Sequence, residues 1–100
     1  MDRTRADKAR AVGTWTVGVL AAGAENVEQL ARGAETTIEA ARASAADAVA
    51  VAAATRGREE YRVTIAGTHM MIMPGLDNDG RLDIRGMRYA VHSIRADRVC

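Results

Sequence analysis

The sequence predicts an α+β fold, in which a long Ala-rich N-terminal helix or kinked helix pair is followed by a small antiparallel β-unit ending in a hairpin. Alanine dominates residues 1–55, and Ala has the best intrinsic helix propensity. From Tyr61 onward, apolar and polar residues alternate with the period of half-buried strands. The predicted organisation is a helical region over 1–55, a polar linker over 56–60 (RGREE) and a small β-unit over 61–100.

The helical prediction for the N-terminal half rests on the spacing of its larger apolar residues. They recur at helical intervals, with Ala residues between them on the same face: Val12, Val19, Val27, Leu30, Ile38 and Val49. Glycines at positions 13, 18, 23 and 33 interrupt the pattern, and each costs about 1 kcal/mol relative to Ala inside a helix. Gly23 is the favoured break, followed by a second helix from about Ala24 to Thr55 that ends before Gly57. Whether this half is one helix or two stays open.

The predicted second helix is too long for the β-unit to cover. Unbroken, it would extend about 48 Å at 1.5 Å of rise per residue. We therefore expect its apolar stripe to pack on other chains, rather than to fold back onto the first helix. The residues expected at this partner interface are Val27, Leu30, Ile38 and Val49.

Two strands and a turn are predicted in the first part of the β-unit. Tyr61, Val63 and Ile65 alternate with polar or small residues, and Gly67-Thr68 then predicts a turn or bulge. Residues 69–73 (HMMIM) are apolar without clean alternation, which is consistent with a strand buried on both faces. Residues 77–80 (DNDG) form a cluster of turn-favouring residues after Pro74-Gly75.

The last predicted element is a hairpin over residues 82–91 (LDIRGMRYAV). Alternation on both arms predicts one buried face, made by Leu82, Ile84, Tyr89 and Val91. Gly86 lies between the arms, where a tight turn needs a positive φ. Beyond Val91 the alternation slips, and a bulge near His92-Ser93 would return Ile94 to the inward face.

Composition argues against several classes of function. The net charge is +1, so no bulk field attracts nucleic acid or membranes, and the absence of Phe argues against a base-stacking platform. Cys100 is the single cysteine, so no intrachain disulfide is expected. No secretory signal is expected, and the apolar run over 11–24 is too short to span a bilayer.

No catalytic, cofactor or metal site is predicted. Residues 75–86 fail as a calcium loop because glycines occupy its first and last ligand positions. His69 and His92 have no third ligand at a recognisable spacing. Ser44 and Ser93 lack the surroundings of a hydrolase nucleophile, and phosphate-binding Gly motifs are absent. We therefore expect no enzymatic activity, no cofactor, no metal and no small-molecule substrate.

Two surface features leave alternatives open. The Met-rich stretch 69–73 is read as soft core packing, with an adaptable partner surface as the alternative. The arginines at 81, 85, 88, 95 and 98 are read as a solvated face or as subunit ion pairs. A stripe that contacts phosphates is the alternative for these arginines.

Residues 77–94 (DNDGRLDIRGMRYAVHSI) resemble the closing region of small neck proteins of tailed bacteriophages, of the head–tail joining, head-completion or stopper type. The shared features are Asp79-Gly80, an apolar strand, the Gly86 turn, residues 88–91 (RYAV) and Ile94. The long helical half departs from the usual stopper layout. The resemblance implies a structural virion subunit, assembled in the host bacterial cytoplasm as copies in a ring or shell with other virion proteins.

Two other functions compete with this expectation. One is a small homo-oligomeric bacterial interaction module with a coiled-coil helix. The other is a weak nucleic-acid-binding protein that uses the Arg-bearing hairpin, although near-neutral charge argues against phosphate-dominated binding. Contact with a membrane is not expected, and contact with nucleic acid is allowed but not expected.

Overall fold

The computed structural model describes residues 12–95, which form an α+β fold of four strands and two helices. In chain order the elements are β1 (Gly13–Leu20), β2 (Glu28–Glu35), α1 (Ile38–Arg56), β3 (Glu60–Ile65), β4 (Thr68–Ile72) and α2 (Ile84–His92).

The strands form one antiparallel sheet in the order β2-β1-β3-β4. Val17 at the centre of β1 pairs with Ala31 of β2 on one side and with Val63 of β3 on the other. A bulge between Val17 and Gly18 shifts the β1–β2 register. Strands β2 and β4 are therefore the two edges of the sheet.

The core lies between one face of the sheet and the two helices. Strands β1 and β3 contribute alternate residues to it, and all of them are buried: Trp15, Val17, Val19, Tyr61, Val63 and Ile65. Helix α1 contributes Val49 and a row of fully buried alanines, which let its backbone approach the sheet closely. Helix α2 adds Met87 and Val91, and Ile94 follows it into the same cluster. The opposite face of the sheet carries no helix within residues 12–95 and is open.

The predicted long N-terminal helix, or kinked helix pair, is wrong: residues 13–35 form a β-hairpin, and the first described helix begins at Ile38. Glycines, which a helix tolerates poorly, fit well in this hairpin. Gly23 lies between the strands and has φ 84°, a backbone conformation that residues with a side chain rarely adopt. A Cβ at Gly13 would lie 2.4 Å from the carbonyl oxygen of Thr37, where α1 begins. Residues 1–11 of the predicted helical region lie outside the described part.

Helix α1 starts later than predicted and ends where predicted. Thr37 caps its N-terminus, because the Oγ1 atom of Thr37 accepts a hydrogen bond of 3.0 Å from the backbone N–H of Ala40. At the other end, the N–H of Gly57 donates to the carbonyl of Ala53 at 2.8 Å, and Gly57 has φ 82°. The helix supplies one layer of a packed core rather than a free rod.

The predicted strand over Tyr61, Val63 and Ile65 is confirmed as β3. Tyr61, Val63 and Ile65 face the core from β3, and Ala66-Gly67 form the turn into β4. β4 includes most of the Met-rich stretch. It is an edge strand whose alternate residues are exposed, so the predicted burial on both faces is wrong. The predicted turn at 77–80 is also present: Asp77 Oδ1 accepts hydrogen bonds from the backbone N–H groups of Asp79 and Arg81, at 2.8 and 2.9 Å.

The predicted C-terminal hairpin is wrong, because residues 84–92 form α2. Asp83 caps this helix by accepting a 3.0 Å hydrogen bond from the N–H of Gly86. Gly86 therefore lies in the first helical turn and does not have a positive φ. The spacing of Ile84, Met87 and Val91 is helical, and Ile94 continues it without any bulge. The apolar residues of so short a segment fit both the strand period of two residues and the helix period of 3.6 residues. Alternation alone therefore assigned this segment wrongly to a strand.

Candidate protein interface

An apolar groove lies between the edge strand β2 and helix α1. Its volume is about 400 Å³, and its lining combines small and branched apolar side chains with a charged group near each end: Leu30, Ala31, Asp47, Ala48, Val51, Ala52, Thr55 and Arg56. Val51 is 66 % exposed, so the groove presents a branched apolar side chain to solvent. The lining of this groove is more apolar than that of three other hollows on residues 12–95, which lie on the open face and beside Met73.

Hydrogen bonds at both ends hold α1 alongside β2. Glu35 Oε2 accepts a 3.0 Å bond from Ser44 Oγ near the start of the helix. Glu28 Oε1 accepts a 3.3 Å bond from Arg56 Nη2 at the end of the helix. Strand and helix therefore run antiparallel, and Val51 lies beside the middle of the strand, near Leu30 and Ala31.

The outer edge of β2 is free among the described residues. β1 occupies one side of β2, and no strand of residues 12–95 occupies the other. An edge strand of this kind presents a row of backbone N–H and C=O groups to any extended partner. The groove thus places an apolar surface directly beside a set of unpaired backbone groups.

The residues predicted at the partner interface do not form one stripe. Leu30 is half-buried and lines the groove. Val27 is 46 % exposed on the open face of the sheet, where it lies over Gly18. Ile38 is half-buried at the start of α1, and Val49 is fully buried in the core. The structure therefore brings only Leu30 to the candidate interface.

Sequence reasoning placed Ala52 on the apolar stripe but missed Ala48 and Val51, which form the helical wall of the groove together with Ala52. Their spacing was visible, because residues 48, 51, 52 and 55 recur at the interval of one helix face. The sequence did not indicate that β2 lies beside α1, and this helix face lines a groove only because a strand lies next to it.

The residues predicted as the hairpin core have separate environments. Val91 is fully buried, and Leu82 and Ile84 are half-buried against the core. Tyr89 is 75 % exposed, so its predicted place on a buried face is wrong, and Tyr89→Ala should have only a small effect on folding.

The open face of the sheet is polar and shallow. Thr64 and His69 are paired across β3 and β4, with Thr64 Oγ1 and His69 Nδ1 separated by 3.0 Å. Arg62 on the same face forms an ion pair with Glu60. A catalytic triad needs a nucleophile, a base and a third group that orients the base. Among the hydrogen bonds of residues 12–95, no acidic side chain orients His69 in this way.

The described residues also offer no metal centre. No group of three His, Cys, Asp or Glu side chains within 12–95 is placed to hold an ion. His69 lies on the open face, whereas His92 belongs to α2 on the opposite layer. Cys100 lies outside the described residues. Neither α1 nor α2 is both long enough and apolar enough to cross a bilayer.

Burial perturbs one titratable group of the core. Desolvation raises the pKa of Tyr61, and the nearby negative charge of Glu59 raises it further, while Arg56 opposes both. The Tyr61 hydroxyl donates a 2.7 Å hydrogen bond to the carbonyl of Gly57. This contact ties the end of α1 to β3, which is a structural role.

Comparison of the chain with protein families, with curated proteins and with solved structures finds no match in any of the three.

Proposed function

We propose that this protein is a non-enzymatic structural subunit that assembles with copies of itself through the edge of β2 and the adjoining groove. The observation that carries the proposal is the apolar groove beside a free strand edge, with Val51 exposed at its centre. A chain of this size buries a limited apolar core, so association with another copy would add to its stability.

The edge strand supplies the hydrogen-bonding part of the contact. β2 spans Glu28–Glu35, long enough for several main-chain bonds to a second strand. Two copies of β2 that pair antiparallel would join the two sheets into one continuous sheet. Such a pairing places the two α1 helices side by side over the new seam, since each α1 runs along its own β2.

The groove supplies the apolar part of the contact. In a twofold arrangement centred near Ala31, the exposed Val51 of each copy meets the Val51 of the other. The same symmetry brings Asp47 of one helix toward Arg56 of its partner, because these charges lie on opposite sides of Val51 in the groove. Opposite charges on either side of an apolar centre make a self-complementary surface, as a twofold interface requires.

The proposal keeps the multi-copy structural role implied by the resemblance to phage neck proteins, but not the assignment to a virion. That resemblance depended on a hairpin with Gly86 at its tip. Residues 84–92 form a capped helix instead, so the hairpin of the shared pattern has no structural counterpart, whereas its Asp79-Gly80 turn is present.

Sedimentation velocity of the full chain across a concentration series tests the proposal. We expect reversible dimers or larger species, which Val51→Asp converts to monomers by placing a charge in the desolvated seam. The matched control is Ala43→Asp, which adds the same charge to an exposed position of α1 outside the groove.

Circular dichroism would show that both variants keep their helix content. A wild-type chain that stays monomeric throughout the series would contradict self-assembly. Equal dissociation of the two variants would contradict the role of the groove.

A further inference from the structure

The solvent-facing side of α2 is cationic and carries an exposed aromatic ring. Arg85, Arg88, Tyr89 and His92 recur at i, i+3, i+4 and i+7, and all four are exposed. Met87 and Val91 on the opposite side are buried in the core. The strong division between the two sides fixes which residues face solvent, and we call these four exposed residues the α2 face.

Positive charge near the α2 face is poorly compensated. Arg81 precedes the helix, Arg95 follows it, and both are exposed. The single acid in residues 81–95 is Asp83, whose carboxylate is engaged as the helix cap. Arg88 pairs with Asp47, whereas Arg85 has no carboxylate of residues 12–95 within 4.0 Å.

We propose that the α2 face binds the phosphate backbone of a single-stranded nucleic acid, with Tyr89 as the surface on which one base stacks. Arg85 to His92 spans about 10 Å at 1.5 Å of rise per residue. That length covers roughly three stacked nucleotides at 3.4 Å of rise along one strand. Guanidinium groups suit phosphate because their donors match its oxygens in pairs. A Tyr ring that is 75 % exposed offers a π-face to an unpaired base.

The low net charge of the chain does not oppose a local contact. Charges separated by more than about 8 Å of physiological solution are largely screened from one another. Glu25 and Glu28 belong to the part of the chain around β2. Two acids are closer to α2: Asp47 pairs with Arg88, and Glu39 pairs with Arg42, which donates to the carbonyl of Ile94. A backbone lying on the α2 face would therefore be attracted mainly by Arg85 and the flanking Arg81 and Arg95, which have no carboxylate of residues 12–95 within 4.0 Å.

An acidic protein surface is the competing partner class, and the composition of the α2 face argues against it. Protein interfaces are built around a desolvated apolar centre with a polar rim. Apart from Tyr89, the exposed residues of α2 are cationic or imidazole-bearing, and the apolar side chains of the helix are buried or half-buried. This pattern fits a nucleic acid, whose phosphates are anionic and whose bases can stack on a ring, better than it fits a packed protein surface.

This inference goes beyond the proposed assembly and does not depend on it. The carbonyl of Arg95 accepts a 3.2 Å hydrogen bond from Thr68 Oγ1, which places the end of α2 beside β4. β4 and β2 are opposite edges of the sheet. Arg88 reaches the rim of the groove, because it pairs with the groove residue Asp47. The side chains of Arg85, Tyr89 and His92 form no hydrogen bond or ion pair with the groove residues and are exposed.

Fluorescence anisotropy of the full chain with a labelled single-stranded DNA of mixed sequence tests the proposal. We expect the logarithm of the binding constant to fall with the logarithm of salt concentration with a slope of about −2, as for three phosphate contacts to a single strand. Arg85→Glu should weaken binding about tenfold at low salt and make this slope shallower by about 0.7. Arg32→Glu, on the open face of the sheet, makes the same charge change away from α2 and should leave binding unchanged.

A duplex of the same sequence isolates the stacking step. We expect the wild type and Tyr89→Phe to prefer the single strand, and Tyr89→Leu to lose that preference. Equal losses in Arg85→Glu and Arg32→Glu, or no salt-dependent binding at all, would overturn the nucleic-acid site. Equal affinity of the wild type for duplex and single strand would overturn the stacking role. Binding of a polyglutamate peptide, sensitive to Arg85→Glu, without binding of DNA would assign the face to an acidic protein instead.

Discussion

The indole ring of Trp15 lies directly across the backbone of Gly33, its cross-strand partner in the β1–β2 register. A Cβ at Gly33 would lie 2.6 Å from Nε1 and 2.7 Å from Cε2 of the ring. The same Nε1 donates a 3.1 Å hydrogen bond to Glu35 Oε2, which also accepts from Ser44. Because Gly33 has no side chain, the ring of Trp15 can pack over β2 and donate to Glu35, which also binds Ser44 of α1.

Replacing Gly33 by Ala should destabilise the fold by about 1–3 kcal/mol, the usual range for overpacking. The added methyl group must displace a rigid ring, and the displacement breaks the bond to Glu35. Chemical denaturation measures the loss, and Trp fluorescence reports the ring's new environment. Gly75→Ala is the control, since nothing lies within 4 Å of a Cβ there and its φ is not positive. Unchanged stability of Gly33→Ala would show that the ring does not lie on Gly33.

Prediction from sequence succeeded where local chemistry and tertiary packing favour the same structure. Tyr61, Val63 and Ile65 alternate, are β-formers and are flanked by turn residues, so β3 was predictable. Asp77 organises its turn through its own side chain, a local effect that composition indicates directly.

β2 could not be predicted in this way. Its sequence (EQLARGAE) contains no β-branched or aromatic residue, and its composition favours a helix. It is a strand because β1 pairs with it, and β1 carries a period-two signal in Trp15, Val17 and Val19 that the surrounding alanines obscured. The candidate groove depends on β2, so its Val51 wall could not be recognised before the strand was placed.

Asp83→Ala should cost about 1 kcal/mol of stability, because it removes the cap of α2 and leaves the N–H of Gly86 without its acceptor. Asp83→Ser should retain most of that stability, since Ser also accepts the capping bond. The control is Asp79→Ala, an exposed position whose side chain has no hydrogen-bond partner among residues 12–95, with an expected change within about 0.5 kcal/mol. Urea unfolding of the three variants provides the comparison. Equal small effects at both Asp positions would indicate that residues 84–92 do not form a capped helix in solution.

Alkaline pH should destabilise the protein through Tyr61. Its pKa is raised in the folded state by burial and by Glu59, whereas in the unfolded chain it returns to the ordinary value near 10. As pH rises past that value, the unfolded chain releases the phenol proton before the folded chain does, so unfolding becomes more favourable. The stabilisation is complete below about pH 10 and is lost as pH rises toward the raised folded pKa.

Thermal or urea unfolding of Tyr61→Phe, measured from about pH 8 to pH 11, isolates this contribution. At the lower pH the variant should be less stable than the wild type by about 1 kcal/mol, because the Gly57 carbonyl loses its 2.7 Å donor. Toward the upper pH the difference should shrink, since only the wild type has a Tyr61 proton to lose. Tyr89→Phe removes an exposed hydroxyl instead and should keep the alkaline loss of the wild type. A gap between wild type and Tyr61→Phe that stays constant across this range would mean that Tyr61 titrates alike in both states, and that its ring is not desolvated at the junction of α1 and β3.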